Sequence, residues 1–145
     1  MVKKIFITLF VAIVSSVCSF AHDINNYKYV VIEHQDDAAK DIEQRMQKEF
    51  PKLGFVILST EEFDQLNDTE KAITLVAKYR CRQSGECIFK LEILNSNGIQ
   101  VYEDEQIGGA GFMSRKNDRQ SAIKKIFKQL AKLNYQYTPQ VSDNE

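Results

Sequence analysis

The sequence predicts an α+β fold, in which a single domain contains a mixed sheet with a three-stranded antiparallel meander and helices packed on one face. Three observations carry this prediction: apolar residues alternate between positions 72 and 102, two turn signals interrupt that stretch, and amphipathic helical patterns lie on both sides of it. The predicted order of elements is β-α-β-α-β-β-β-α. No internal repeat or linker divides the chain, so one domain is expected.

The first two strands of the meander alternate apolar and polar side chains. Their apolar positions are Ile73, Leu75, Ala77, Tyr79 and Cys81 in the first strand and Cys87, Phe89, Leu91 and Ile93 in the second. This period of two is typical of strands with one buried face. If Cys81 lies opposite Cys87, then Tyr79 lies opposite Phe89 and every cross-strand pair on that face is apolar. The sequence therefore predicts this register.

The same register predicts a disulfide between Cys81 and Cys87, the two cysteines that follow the N-terminal leader. An oxidising compartment permits the bond, which would contribute about 2 kcal/mol because it closes a short loop. A metal site needs further ligands, and none is evident nearby. A redox pair usually has two intervening residues, whereas this pair has five. A structural disulfide is therefore the predicted role.

The second turn of the meander is predicted at Ser96-Asn97-Gly98. A three-residue loop with Gly in a left-handed conformation would place Ile93 opposite Val101. A two-residue loop at Asn97-Gly98 would instead place Leu94 opposite Val101. Both alternatives remain open from the sequence.

Amphipathic helices are predicted on both sides of the meander. The buried stripe of the first is Ala38, Ile42, Met46 and Phe50, and that of the last is Ile123, Ile126, Phe127, Leu130 and Leu133. Asp36 or Asp37 is the predicted N-cap of the first helix, and Pro51 with Gly54 is predicted to end it. The last helix is expected to run from about Asp118 to Leu133.

Shorter elements complete the pattern before the meander. Residues 27–32 and 55–58 are short runs of β-branched and aromatic residues that predict two strands. Ser59 and Glu62 match a capping box, which predicts a short helix between the second of these strands and the meander.

Residues 1–21 are predicted to be a secretory signal peptide, with cleavage between Ala21 and His22. Lys3 and Lys4 supply the positive start, and a run of mostly apolar residues follows. This run is shorter than the ~20 residues that a transmembrane helix needs, so no stable membrane insertion is expected after the leader is removed. The predicted location is periplasmic or secreted.

After cleavage, residues 22–134 would form the single domain and residues 135–145 a flexible C-terminal tail. Without residues 1–21, the 145-residue chain keeps 124 residues, with 17 Lys and Arg (19 less the two in the leader) against 20 Asp and Glu. The resulting net charge near −3 disfavours nucleic acid and anionic membranes as partners.

The sequence contains no strong catalytic or cofactor motif. Glu33, His34, Asp36 and Asp37 are suitable metal ligands, but their spacing matches no specific motif, and acids before a helix have an ordinary capping role. Residues 108–111 are glycine-rich but lack the Lys and Ser or Thr of a phosphate-binding loop. We therefore expect no catalytic residue, no metal and no cofactor.

The meander resembles that of small bacterial envelope domains related to the N-terminal domain of TolB and to CsgG and LpoB. The matching residues are Leu75-Val76-Ala77, Phe89-Lys90-Leu91-Glu92-Ile93, Asn95-Ser96-Asn97-Gly98 and Val101. The preceding strand-helix-strand and the closing helix also follow that order. The resemblance implies a protein-binding adaptor rather than an enzyme, and it transfers no site residues.

The predicted function is therefore that of an exported, non-enzymatic domain that binds another envelope or secreted protein. The unpaired side of the third meander strand, from Ile99 to Tyr102, is the predicted docking edge. The alternative is a small secreted enzyme or a ligand-binding module with a site near His34. The sequence indicates neither a ligand nor an oligomeric state.

Overall fold

The computed structural model describes residues 23–109 and 114–140. The predicted signal peptide and its cleavage site between Ala21 and His22 lie outside the described residues, so both stay predictions.

The described residues form five strands and four helices. The strands are β1 (Tyr29–Ile32), β2 (Val56–Leu58), β3 (Thr74–Ser84), β4 (Glu86–Asn95) and β5 (Gln100–Ile107), and the helices are α1 (Lys40–Leu53), α2 (Thr60–Asp64), α3 (Asp68–Ala72) and α4 (Arg115–Ala131). The sheet has the order β2-β1-β3-β4-β5, in which β1 is parallel to both neighbours and the β3-β4-β5 meander is antiparallel. The predicted α+β fold with a mixed sheet is confirmed.

The two crossover connections leave the sheet in opposite directions. The chain passes from β1 to β2 through α1, and then returns across β1 to reach β3 through α2 and α3. Because parallel crossovers are right-handed, two that run in opposite directions lie on opposite faces of the sheet. Val31 supports this placement, since it is buried yet lies outside the main core, and α2 contacts β1. The prediction that the helices pack on one face therefore holds for the two long helices, α1 and α4, but not for α2.

The main core lies between the sheet and the two long helices, α1 and α4. Its largest fully buried side chains include Ile42, Met46, Phe50, Leu75, Phe89, Leu91, Ile93, Ile123, Ile126 and Leu130. Phe50 of α1 joins the helices, because its ring lies 5.0 Å from that of Phe127 in an edge-to-face arrangement. The predicted stripes are thus buried except at two ends. Ala38 precedes α1 and is half-buried, and Leu133 lies beyond the end of α4 and is 47% exposed.

The predicted register of β3 and β4 is wrong by two residues. Cys81 lies opposite Phe89, and Cys87 lies opposite Gln83. The strands reverse around Gly85, whose φ is 93°, so that Ser84 already pairs with Glu86. A shift of two residues keeps every side chain on its predicted face, because side chains alternate with a period of two.

The second turn has the predicted three-residue form, but the register beyond it differs. The Asn95 amide donates to the Ile99 carbonyl, and Gly98 has a φ of 76°, which Gly adopts without strain. A β-bulge at Ile93/Leu94 then adds one residue on β5, so Ile93 faces Tyr102 rather than Val101. The two-residue alternative is also wrong, because Leu94 pairs with Gln100.

The ends of the helices differ from prediction in three places. Ala39, not Asp36 or Asp37, occupies the N-cap of α1 and makes no side-chain cap hydrogen bond, and Pro51 lies inside the last turn, which ends at Gly54. The predicted capping box of Ser59 and Glu62 is confirmed. The sequence analysis missed α3, which has a capping box of its own formed by Asn67 and Glu70. Helix α4 begins at Arg115, after the cap Ser114, rather than at Asp118.

The predicted C-terminal tail, residues 135–145, begins with an anchored segment. The Tyr135 ring stacks on that of Phe55 at 3.8 Å, and its hydroxyl donates to the Tyr27 carbonyl. The Thr138 amide donates to the Asn25 carbonyl at 2.8 Å. These contacts tie the start of the tail to the N-terminal segment, and the flexibility of the remainder stays a prediction.

Candidate interaction surface

The meander has one face that α1 and α4 cover and one that they leave open. On the open face, the rows run across three strands from Lys78 to Glu92 to Glu103 and from Arg80 to Lys90 to Glu105. In β4 the side chains of this face are half-buried, whereas the alternate side chains Phe89, Leu91 and Ile93 are fully buried. We call this surface, formed by the outward side chains of β3, β4 and β5, the open face.

Charge is separated across the open face. The side chains that β3 contributes include Lys78, Arg80 and Arg82, and those of β5 include Glu103 and Glu105. Lys90 on β4 pairs with Glu103, its Nζ lying 2.5 Å from a carboxylate oxygen. This hydrogen bond raises the pKa of Lys90 and lowers the pKa of Glu103.

Strand β5 lies at the edge of the sheet, and its backbone is arranged so that alternate residues face outward. The Gly108 amide donates inward to the Cys87 carbonyl at 2.9 Å. Because antiparallel strands alternate the direction of their hydrogen-bonding groups, the amides and carbonyls of Glu103, Glu105 and Ile107 point away from β4. Within residues 23–109 and 114–140, no strand pairs with that side of β5.

One outward group of β5 already has a partner. Lys125 of α4 donates from Nζ to the Ile107 carbonyl at 2.6 Å. The outward amides and carbonyls of Glu103 and Glu105 have no such contact among the described residues. The available part of the edge therefore centres on these two glutamates. Among the described residues, the third meander strand thus has an unpaired side as predicted, centred nearer to Glu105 than to the predicted Ile99–Tyr102.

The side of β5 that faces the helices is polar at its centre. The two carboxylate oxygens of Asp104 accept hydrogen bonds from the side-chain amide of Gln106, at 3.2 and 3.1 Å. Tyr102 is half-buried there, and burial together with Asp104 raises the pKa of Tyr102 to about 12. With Glu103 and Glu105, Asp104 makes three acidic residues in succession on a strand that contains no basic residue.

The His34 region, the site named in the alternative prediction, forms a cluster of hydrogen bonds between the β1–α1 loop and α1. His34 Nδ1 lies 3.0 Å from a carboxylate oxygen of Glu43, and Nε2 lies 3.1 Å from one of Asp36. Glu43 also accepts hydrogen bonds from the Tyr79 hydroxyl at 2.8 Å and from the backbone amide of Gln35 at 3.1 Å. The loop is thus fastened to α1 and to β3.

His34 has a carboxylate beside each ring nitrogen, because Nδ1 is hydrogen-bonded to Glu43 and Nε2 forms an exposed ion pair with Asp36. An imidazole donates from both nitrogens only when it is protonated, and then it has no acceptor with which to take a proton from a substrate. The hydrogen bond with Glu43 raises the pKa of His34, which favours this form. Burial opposes ionisation of Glu43, but the bonds from His34 and Tyr79 outweigh it and lower the pKa of Glu43. The geometry is that of a structural tether.

Glu33 and Asp37, the other two predicted candidates, do not join this cluster. Glu33 pairs with Lys78 at 3.3 Å on the open face. Among the described residues, no group of three or more His, Cys, Asp or Glu side chains is placed to hold a metal ion. The first two glycines of residues 108–111 extend the pairing of β5 with β4, while residues 110 and 111 lie outside the described part.

Cys81 and Cys87 lie diagonally across β3 and β4 on the covered face. Their sulfur atoms are 3.8 Å apart, and both cysteines are free thiols in this structure. Burial raises the pKa of both thiols, that of Cys81 to about 12. A raised pKa keeps a thiol protonated and a poor nucleophile. The predicted disulfide is not formed here and stays a prediction.

A polar network that the sequence analysis did not predict joins α1, α4 and β3 beside the cysteines. Arg119 contacts both carboxylate oxygens of Asp41, at 2.6 and 3.3 Å, and donates to the Gln83 side chain at 2.9 Å. Gln120 donates to Asp41 at 2.9 Å. Burial opposes ionisation of Asp41, but the bonds from Arg119 and Gln120 outweigh it and lower the pKa of Asp41. Because the members of this network are hydrogen-bonded to one another, we interpret the network as structural.

Comparisons with known proteins yield distant structural likenesses alone. No family model matches the chain, and no curated protein matches it in sequence. Two solved structures of the PelC dodecamer from Paraburkholderia phytofirmans are similar in structure. One is a point variant at 16% identity and TM-score 0.47, covering 77% of this chain and 91% of that one. The other has 15% identity and TM-score 0.46, covering 81% and 93%.

TM-scores below 0.5 support no conclusion about this chain, and these matches give no support to the resemblance to TolB, CsgG and LpoB in particular. That resemblance stays a prediction. In the part of the chain that the structure describes, no helix is long and apolar enough to span a bilayer.

Proposed function

We propose that this protein is an exported, non-enzymatic domain that binds another protein of the envelope or the secreted fraction through the edge of β5. The observation that carries the proposal is the outward set of backbone groups at Glu103 and Glu105, for which the described residues provide no partner. Exposed edges of this kind accept an added strand, because the backbone supplies hydrogen bonds to any extended segment.

Export rests on the predicted signal peptide, residues 1–21, and on the cysteine pair. Cys81 and Cys87 lie on the same face with their sulfurs 3.8 Å apart, and the sulfurs would have to approach to about 2.05 Å to form the bond. We expect the exported protein to contain this disulfide. Intact mass spectrometry of exported protein should show a mass lower by two hydrogens than that of the reduced protein.

The proposed binding is tested by capture from an envelope extract on immobilised protein. Glu105→Pro removes an outward amide without removing any inward bond to β4, and proline is tolerated at such edge positions. Asp64→Lys is the control, because Asp64 is exposed at the end of α2 and is not part of β5. We expect a protein that the wild type and Asp64→Lys retain and Glu105→Pro loses.

The proposal fails if all three proteins capture the same set or if none captures anything above background. His34→Ala should leave capture unchanged, since the His34 cluster fastens the β1–α1 loop and does not lie on β5. Loss of capture in that variant alone would favour a site near His34 instead.

A further inference from the structure

We infer that the segment bound at the β5 edge is an extended stretch in which Lys or Arg occupies alternate positions, opposite Glu103 and Glu105. This inference rests on the proposed function and adds the chemistry of the partner. Four observations of the structure carry it: the acidity of β5, the position of its outward groups, the pairing of Lys90 with Glu103 rather than Glu105, and the repulsion that a second copy of β5 would meet.

The acidity of the edge is concentrated where its backbone is available. Glu103, Asp104 and Glu105 occupy three successive positions, and the two glutamates that present outward amides and carbonyls also carry their side chains on the open face. A strand added there would place its own side chains beside those of Glu103 and Glu105 at the spacing of neighbouring strands. Opposite charges at such positions stabilise the pairing, and like charges destabilise it.

Only part of this charge is neutralised within the described residues. Lys90 lies beside Glu103 and is the cross-strand partner of Glu105, but it also faces the carboxylate of Glu92. Glu92 also lies opposite Lys78 of β3, whereas Glu105 forms no ion pair among the described residues. A cation from outside would therefore gain attraction at Glu105 without displacing an existing ion pair.

A second copy of the chain is a poor occupant of this edge. If two β5 strands paired antiparallel through these outward groups about Asp104, Glu103 of each would lie opposite Glu105 of the other, and no basic residue of β5 would relieve the repulsion. Lys125 limits the site at the other end, because it occupies the Ile107 carbonyl and would repel a basic residue there. The bound stretch should therefore cover the strand from Tyr102 to Gln106.

The side chains of the bound segment that point toward the helices have different requirements. They would lie beside Tyr102, Asp104 and Gln106, which are half-buried on that side. Small or β-branched residues such as Thr and Val suit this position, because they favour an extended backbone and need no large pocket. The recognised pattern is thus basic and small residues in alternation over about five positions.

A synthetic peptide tests this pattern. The probe has seven residues, blocked at both ends, with Lys alternating with Val and Thr, and its control has Glu in place of every Lys. Binding is measured by NMR titration of the purified protein at low and at high salt. We expect saturable binding of the Lys peptide alone, with shift changes along β5 that weaken as salt screens the charges.

Variants of Glu103 and Glu105 distinguish the contribution of side-chain charge to peptide binding from that of backbone hydrogen bonds. The double variant Glu103→Lys, Glu105→Lys should weaken peptide binding about tenfold or more, and the neutral Glu103→Gln, Glu105→Gln pair should weaken it less. Asp64→Lys, with a charge change of the same sign away from β5, should bind as the wild type does. Glu105→Pro should abolish the β5 shifts, whereas Glu105→Thr, which keeps the amide, should retain them.

The inference is overturned if the double Lys variant binds the Lys peptide as tightly as the wild type, if the Glu peptide binds equally well, or if Asp64→Lys weakens binding as much. Its failure is distinguishable from failure of the proposed function. If envelope capture still depends on Glu105→Pro while the Lys peptide does not bind, the edge binds a segment of another composition. If neither depends on β5, the proposed function fails as well.

Discussion

The two faces of the meander differ although the same strands form both. In β4, Phe89, Leu91 and Ile93 are fully buried under α1 and α4, while the alternating Lys90 and Glu92 are half-buried on the open face. The covered face holds its position through apolar burial, which scales with the area removed from water. The open face is held by cross-strand ion pairs that water and salt weaken. The difference indicates that the stability of the meander resides mainly on its covered face, while no described helix covers the other face.

The largest expected change in the free energy of unfolding is at Leu91, and it is compared with that at the adjacent residue of β4, Glu92. Leu91→Ala should lower the free energy of unfolding by about 3 kcal/mol, because it leaves a cavity in a fully buried position. Glu92→Ala, one residue away on the open face, should change it by no more than about 0.5 kcal/mol. Urea denaturation of both variants measures this contrast. Comparable losses in the two would mean that the open face is covered as well.

The next effect lies where α4 closes over the end of β5. A Cβ added at Gly108 would lie 1.8 Å from the backbone oxygen of Asp118, so Gly108→Ala forces the helix and the strand apart. We expect a loss of about 2–3 kcal/mol, as for an overpacked core. At Gly109 the added Cβ meets the side chain of Asp118 instead, so Gly109→Ala should cost less. Thermal or urea unfolding measures both losses. A larger loss of stability in Gly109→Ala than in Gly108→Ala would contradict this packing.

Ion pairs on the two sides of the sheet should also differ. Asp41 and Arg119 are 17% and 13% exposed, and Asp41→Asn should lower the free energy of unfolding by about 1–2 kcal/mol through its lost charged hydrogen bonds. Because the pKa of folded Asp41 is lowered, its contribution is present above the pKa of the unfolded carboxyl and is lost as pH falls through the folded value. Glu103→Gln on the open face should show no measurable change in urea denaturation. If Glu103→Gln lowered the free energy of unfolding as much as Asp41→Asn does, the two ion pairs would not differ as we expect.

The smallest expected effect is the pH dependence that His34 contributes. Its pKa is raised by the bond with Glu43, so its stabilisation is fully present below the pKa of an unfolded histidine and is lost as pH rises through the folded value. The free energy of unfolding should therefore decline slightly over that window, and His34→Ala should remove the decline. An NMR titration that places the His34 pKa at or below the ordinary value of about 6.5 would contradict the tether.

Periodicity made most of the fold predictable. The alternation from Ile73 to Ile93 fixed which side chains face the helices, and a register error of two residues left that assignment intact. The capping box at Ser59 and the turn at Gly98 were read correctly because each depends on residues close together in the chain.

What escaped prediction depends mostly on contacts between distant residues. The assumption that Cys81 and Cys87 lie directly opposite hid the tight reversal at Gly85, which the local sequence does not require. The ion pair of Asp41 and Arg119 joins positions 78 residues apart, so no pattern in the local sequence predicts it. The predicted N-cap at Asp36 or Asp37 was wrong for a local reason, because the loop continues to Ala39 before α1 starts and Asp36 contacts His34, two residues away.

The availability of the β5 edge is tested most directly by amide hydrogen exchange, residue by residue, with and without the Lys peptide. In the free protein, the amides of Glu103 and Glu105 should exchange rapidly while those of Asp104 and Gln106 are protected by β4. Addition of the peptide should slow exchange at Glu103 and Glu105 specifically. Protection of these two amides in the free protein, or unchanged exchange there when the peptide is bound, would contradict an open edge that accepts a strand.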